Sequence, residues 1–164
     1  MTTRKGLVRL FAMLASLGMA GNAFANGQLL GGDALVPQNH STLDTLAYGT
    51  YGIANTSSTN PAGVAGSIPN LNGGMFTQVL VTGYSRNTLV PVLCNVQVTT
   101  PDGSFPFFTG SIALTKGTAG PQTIGTPLFG VSGNAVTHLQ CAIPMFQPGG
   151  VSGGASWIST VFTQ

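Results

Sequence analysis

The sequence predicts an all-β protein: an antiparallel β-sandwich, in a jelly-roll or immunoglobulin-like variant, with about seven or eight strands and one disulfide. The first observation is that short segments of alternating apolar and polar residues recur between turns rich in Gly and Pro. No helical period appears after the first 25 residues. The second observation is that both cysteines lie within two such alternating segments.

The two cysteine segments predict the centre of the sandwich. Around Cys94, the residues Val92, Val96 and Val98 share its face, and Cys141 is flanked in the same way by Leu139 and Ile143. Both cysteines therefore point inward, and we expect a Cys94–Cys141 disulfide inside the sandwich. The bond would close a loop of nearly fifty residues. Such a loop is worth roughly 4 kcal/mol of stability on the chain-entropy description.

Residues 1–25 are typical of a cleaved secretory signal peptide. Three basic residues precede an uncharged apolar run at Leu10–Met19, and Ala23-Phe24-Ala25 supplies a small-x-small cleavage pattern. The apolar run is much shorter than the ~20 residues that a membrane-spanning helix needs. We therefore expect no membrane span after cleavage, and a secreted, periplasmic or cell-surface bacterial protein.

Charged residues are scarce, and this scarcity excludes several kinds of binding partner. Three of the five basic residues lie within the predicted signal peptide, which leaves Arg86 and Lys116 against Asp33, Asp44 and Asp102, or 2 − 3 = −1. Binding of nucleic acid requires a basic stripe, and none is present. Charged residues make up 5% of the chain, against about 25% in ordinary domains. Copies of such a protein repel one another weakly.

The mature chain, residues 26–164, is predicted to form one domain. Residues 26–74 are interpreted as an arm, a first strand at Ala47–Asn55 and a long loop rich in Gly, Ser and Asn at Asn55–Gly74. Pro61 and Pro69 argue against a central strand within that loop. Residues 75–164 are expected to form the sandwich core around the disulfide.

Further strands are predicted in order along residues 75–164. Thr77–Tyr84 and Val90–Thr99 alternate, and the turn Pro101-Asp102-Gly103 precedes the next strand, Ser111–Thr115. Gln122–Val131 contains Pro127 and is predicted to be an edge strand. Ala155–Thr163 is the last strand and the second candidate edge. Its alternation assigns Ile158, Thr160 and Phe162 to one face, and Trp157, Ser159 and Val161 to the other.

The residues that catalysis or metal binding requires are scattered. Gly150–Gly154 matches the letters G-x-S-x-G around Ser152, but that motif has meaning only between a strand and a helix. His138 falls on the outward face of its strand, and the three aspartates are far apart in sequence. We therefore expect a protein that is not an enzyme, with no catalytic residues, no metal and no cofactor.

Two functions remain open. The first is a structural or interaction role outside the cell, in which strand edges without charged residues allow copies to associate. The alternative is a carbohydrate- or ligand-binding module. Its aromatic platform would come from Trp157, Tyr48, Tyr51 and Tyr84, beside neutral hydrogen-bonding groups. Phe105, Phe107 and Phe108 are interpreted as core and edge residues.

Three segments in the second half carry a family resemblance. Val92–Val96, Leu139–Pro144 and Ser156–Ile158 resemble segments of small secreted proteobacterial β-sandwich proteins of unassigned function. The resemblance extends over Thr77–Gln164. It implies a fold and a compartment, and it implies no activity.

Overall fold

The structure, a computed structural model, describes residues 28–50, 52–70, 75, 77–131 and 133–164. Within these residues there are eleven β-strands, three short 3-10 turns and no α-helix, so the all-β prediction is confirmed. No helix in this part of the chain is long and apolar enough to cross a membrane. The predicted signal peptide, residues 1–25, lies outside the described residues.

The strands form two antiparallel sheets. In chain order they are β1 Gln28–Gly31, β2 Val36–Pro37, β3 Leu46–Gly49, β4 Gly52–Asn55, β5 Ala62–Asn70, β6 Val79–Tyr84, β7 Leu93–Thr99, β8 Pro106–Ala113, β9 Gln122–Gly125, β10 Ala135–Ile143 and β11 Trp157–Thr163. The six-stranded sheet has the order β3-β4-β11-β6-β9, and β1 also pairs with β11. The five-stranded sheet has the order β2-β5-β10-β7-β8.

The strand order selects the jelly-roll variant of the predicted sandwich. The eight strands from β4 to β11 are divided between the two sheets. Their orders are β4-β11-β6-β9 in one sheet and β5-β10-β7-β8 in the other, which is the arrangement of two Greek keys in a jelly roll. The loops β4–β5, β6–β7, β8–β9 and β10–β11 share one end of the molecule, where backbone hydrogen bonds join them: Phe146 to Ser57, Val151 to Arg86 and Thr118 to Ser85.

The core lies between the sheets and is mainly apolar. Alternate residues of each strand point into the core. In β10, for example, every second residue from Ala135 to Ile143 is buried. The largest fully buried side chains come from both sheets and from the segments next to them: Leu35, Ile53, Ile112, Leu114, Leu139, Ile143 and Ile158.

The predicted disulfide is confirmed. Cys94 on β7 and Cys141 on β10 lie directly opposite each other in the register, with their Cα atoms 4.0 Å apart. Both are buried in the core. The bond therefore joins two neighbouring strands in the middle of one sheet and fixes their register.

The long loop expected at Asn55–Gly74 is wrong, because β5 occupies Ala62–Asn70. All nine residues of β5 pair with β10, from Ala62 opposite Ile143 to Asn70 opposite Ala135. Pro61 precedes the strand and Pro69 stands next to its last residue, so neither interrupts its centre. Ala62, Val64 and Ile68 are buried, and this burial outweighs the weak strand preference of the intervening glycines.

One of the two predicted edges is correct. Strand β9, within Gln122–Val131, does lie at an edge, but β11 is central, with β6 on one side and β4 and β1 on the other. The predicted faces of β11 are also wrong after Ile158. A bulge between Ile158 and Thr160 inserts one extra residue, so Val161 returns to the buried face that Ile158 occupies.

Candidate functional site

The outer face of the five-stranded sheet carries a group of uncharged polar side chains. Because Cys94, Val96 and Leu139 point into the core, the residues between them must point outward. The register places these outward residues in two rows that cross the strands. One row is Ala65, Gln140, Asn95 and Ser111, and the other is Ser67, His138, Gln97 and Thr109. We call these two rows the polar face.

Three open depressions lie on the polar face and just beside it. The first, of about 440 Å³, is bordered by Gln38, Asn95, Ser111 and Gln140. The second, of about 370 Å³, is bordered by Val36, Ala65, Ser67, His138 and Gln140. The third, of about 280 Å³, is bordered by Asn95, Gln97, Thr109, His138 and Gln140. Gln140 therefore stands where all three meet.

Small residues on β5 create the room for the first two depressions. Gly63 and Ala65 occupy outward positions where a larger side chain would stand above the sheet. The side chain of Gln38 lies over Gly63, so closely that a Cβ atom there would come within 2.6 Å of Gln38 Oε1. The Gln38 amide is thereby held at the β5 end of the first depression.

The three amide side chains of the polar face are available and uncharged. Asn95, Gln97 and Gln140 are exposed, and their side chains make no hydrogen bond within the described part of the chain. Among described residues, no Asp, Glu, Lys or Arg borders the three depressions. Each amide offers two donors and an acceptor, so the face suits a ligand rich in hydroxyl groups.

His138 is fixed at the centre of the face by its neighbours. Its Nδ1 atom lies 3.0 Å from Ser67 Oγ, and its Nε2 atom lies 3.2 Å from Thr99 Oγ1. The imidazole is half-buried and on the outward side of β10, as the sequence predicts. These hydroxyl contacts orient the ring and bring no carboxylate to it.

An aromatic pair stands beside the polar face at the edge strand β8. Phe105 and Phe107 are 60% and 42% exposed, and their rings meet edge to face with centroids 5.7 Å apart. Phe107 is the extra residue at a shift in the register of β7 and β8, where Val98 lies opposite Phe108 and Thr99 lies opposite Pro106. Phe108 stacks on Phe129 at 4.1 Å.

The structure brings together two of the four aromatic residues predicted from the sequence. Tyr84 and Trp157 are register partners on the outer face of the six-stranded sheet, with ring centroids 5.2 Å apart. The Arg86 guanidinium lies over both rings, 5.1 Å from the Tyr84 centroid and 5.5 Å from that of Trp157. Arg86 Nη1 also donates to the Ser152 carbonyl at 2.9 Å.

The other two predicted aromatic residues do not join this cluster. Tyr48 pairs with Ile53 in β4, which places it on the side of the sheet that faces the core, although it is 48% exposed at the edge. Tyr51 lies outside the described residues. The Arg86 side chain therefore covers part of the Tyr84–Trp157 pair, whereas the polar face is open.

The remaining sequence motifs do not assemble a catalytic site. Ser152 lies in the 3-10 turn Val151–Gly153 between two strands, with a φ of +48°, and no α-helix follows it in the described chain. His138, the histidine that a catalytic serine would need nearby, lies on β10 in the five-stranded sheet and not in this turn. Among the described residues, no group of three or more His, Cys, Asp or Glu side chains could hold a metal ion.

Sequence reasoning missed the polar face, although its signal was present. Asn95 follows Cys94, and Gln140 precedes Cys141, so a disulfide between opposed residues makes Asn95 and Gln140 neighbours. Counting two residues further from each cysteine makes Gln97 and His138 neighbours in the same way. The aromatic residues drew attention to the other sheet instead.

Comparison with known proteins leaves the family open. No family model and no curated protein matches the sequence. Among solved structures, the CBM36-1 domain of a multidomain xylanase from the hindgut metagenome of Trinervitermes trinervoides is 11% identical, covering 85% of this chain and 97% of that one, with a TM-score of 0.47.

Two further solved structures are similar to the same degree. CBM35 from Cellvibrio japonicus Abf62 is 12% identical, covers 84% of this chain and 92% of that chain, and gives a TM-score of 0.47. Carbohydrate-Binding Module CBM36 in complex with calcium and xylotriose is 8% identical, with 84% and 99% covered and a TM-score of 0.46. Scores below 0.5 at such identities carry no argument about a ligand.

Proposed function

We propose that the protein is a non-enzymatic carbohydrate-binding module that uses the polar face. The observation that supports this proposal is the set of amide and hydroxyl side chains, open to solvent and free of charge, that borders three adjoining depressions. Neutral sugars present many hydroxyl groups and no charge. They can therefore exchange hydrogen bonds with Asn95, Gln97 and Gln140 without the desolvation cost that a buried charge carries.

The compartment proposed for this role lies outside the cytoplasm. The predicted signal peptide and the Cys94–Cys141 disulfide both fit an oxidising environment, either periplasmic or extracellular. Polysaccharides are accessible to a protein in those places.

Affinity electrophoresis and calorimetry against a panel of soluble neutral polysaccharides test the proposal. We expect retention by at least one polysaccharide, and loss of about tenfold or more in affinity in the double variant Asn95→Ala/Gln140→Ala, since each lost hydrogen bond to ligand is worth ~1 kcal/mol. Thr123→Ala is the matched control, because Thr123 is exposed on the outer face of the other sheet. Absence of binding to every neutral glycan, with the fold intact, would reject the proposal.

A structural role through self-association is the second candidate. Strand β8 is an eight-residue edge strand without a charged residue, and Phe105 and Phe107 stand exposed at its start. Such an edge can accept another strand. Sedimentation at rising protein concentration tests it: a concentration-dependent increase in mass that Thr109→Lys abolishes supports association, and a constant monomer mass rejects it.

A further inference from the structure

We infer that the polar face binds the interior of a linear, uncharged glycan whose chain runs across the strands, with one sugar residue above each of β5, β10, β7 and β8. This inference rests on the proposed function and adds the ligand class and the mode of binding. It follows from the way hydrogen-bonding groups repeat along the face.

The repeat of the polar groups matches the repeat of a sugar chain. Each of the four strands contributes one outward residue to the row Ser67, His138, Gln97 and Thr109. Neighbouring strands are about 4.8 Å apart, so hydrogen-bonding groups recur at that interval across the sheet. This spacing is close to the length of one pyranose residue in an extended 1,4-linked chain. A chain lying along the strands would meet these groups at a longer interval.

The depressions form a continuous path in the same direction. The second depression extends from Val36 on β2 to Gln140 on β10, and the third extends from Gln140 to Thr109 on β8. His138 and Gln140 border both, so one ligand can occupy the two together. The path crosses every strand of the five-stranded sheet.

Both ends of this path reach an exposed sheet edge. Val36 at the β2 side is 59% exposed, and Thr109 at the β8 side is also exposed. A ligand chain can therefore continue past either edge, and the site requires no chain end. The sheet also twists by roughly 20° per strand, which a flexible soluble chain can follow and a flat crystalline surface cannot.

Calorimetry with neutral oligosaccharides of increasing length, from the polysaccharide that binds best, tests the inference. We expect affinity to rise by about tenfold or more from the disaccharide to the tetrasaccharide and to change by less than about twofold beyond it. A disaccharide that binds as tightly as the tetrasaccharide would overturn the inference while leaving the proposed function intact. Absence of binding at every length would overturn both.

A variant at the β8 end of the row gives an independent test. Thr109→Ala removes the hydrogen-bonding group of that terminal position, so it should shorten the length at which affinity levels off by one sugar. Thr123→Ala, on the opposite sheet, should leave the length dependence unchanged. If Thr109→Ala retains the wild-type length dependence, the chain does not cross the strands in this way. Far-UV circular dichroism and melting temperature confirm that each variant is folded.

Discussion

Asn55 ties three parts of the chain together through a single buried amide. Its Nδ2 atom donates to the carbonyl oxygens of Asn60, Ile143 and Pro144, and its Oδ1 atom accepts from the Ser57 backbone N–H. The side chain is fully buried. Loops that cross between sheets bury backbone groups that no strand partner satisfies, and this amide satisfies several of them.

Asn55→Ala should therefore lower the free energy of unfolding by about 2–3 kcal/mol, because buried carbonyl groups lose their donor. Urea denaturation followed by tryptophan fluorescence measures the change. Asn95→Ala is the matched control, since the Asn95 side chain is exposed and makes no hydrogen bond within the described chain; we expect a change below about 0.5 kcal/mol. Equal effects of the two variants would contradict this account.

Asp102 organises the turn between β7 and β8. The Thr100 hydroxyl, followed by the backbone N–H and hydroxyl of Ser104, donates to its carboxylate and lowers the pKa of Asp102 from 3.8 to about 2. A carboxyl group whose pKa is depressed by folding stabilises the folded state above the unfolded pKa. That stabilisation is lost as the pH falls through the folded pKa.

The melting temperature of wild type should therefore exceed that of Asp102→Asn above about pH 4, and the difference should shrink as the pH falls and vanish only below about 2. Calorimetric melts across this range measure the difference. An NMR titration of the Asp102 carboxyl with a midpoint near 3.8 would contradict the prediction.

At the level of the element, β5 shows what the sequence conceals. Its residues Gly63, Ala65 and Gly66 have weak strand preference, so local pattern indicated a loop. Pairing with all nine residues of β10 decides the outcome, and this pairing is a long-range property. The cysteine strands β7 and β10, with bulky alternating side chains, were predictable because their local pattern and their tertiary position agree.

Filling the depression above β5 should weaken ligand binding and preserve the fold. Ala65→Leu places a larger side chain outward beside Ser67 and Gln140, where it occupies the second depression without entering the core. We expect a loss of about tenfold or more in affinity for the best-binding glycan. Ala47→Leu, on an exposed position of β3, is the control. Unchanged binding by Ala65→Leu would argue against the polar face.

For the whole molecule, the disulfide closes a loop of 47 residues between the two central strands of one sheet. Cys94→Ala/Cys141→Ala should lower the free energy of unfolding by about 4 kcal/mol on the chain-entropy description. Urea denaturation of the double variant, with the wild type under reducing conditions as a parallel sample, measures it. A loss below about 1 kcal/mol would show that strand pairing alone holds the register.

Scarcity of charge has a consequence for binding at the same scale. No charged residue borders the depressions in the described chain, so there are few electrostatic interactions with a ligand for salt to screen. Affinity for a neutral glycan should change by less than about twofold between about 0.05 M and about 0.5 M sodium chloride. A steep fall with salt, measured by calorimetry, would indicate an anionic ligand held elsewhere, such as near Arg86.

Ser159 is the extra residue of β11, so this strand contains one residue more than its pairing with β6 uses. Ile158 lies opposite Gly83 and Thr160 opposite Thr82, so deleting the Ser159 codon would leave Ile158 and Val161 on the buried face. The partner strand β6 alternates without a break, and deleting a codon within it would turn every residue on one side of the gap to the opposite face. The protein should therefore tolerate the loss of one residue at Ser159 far better than the loss of one residue within β6.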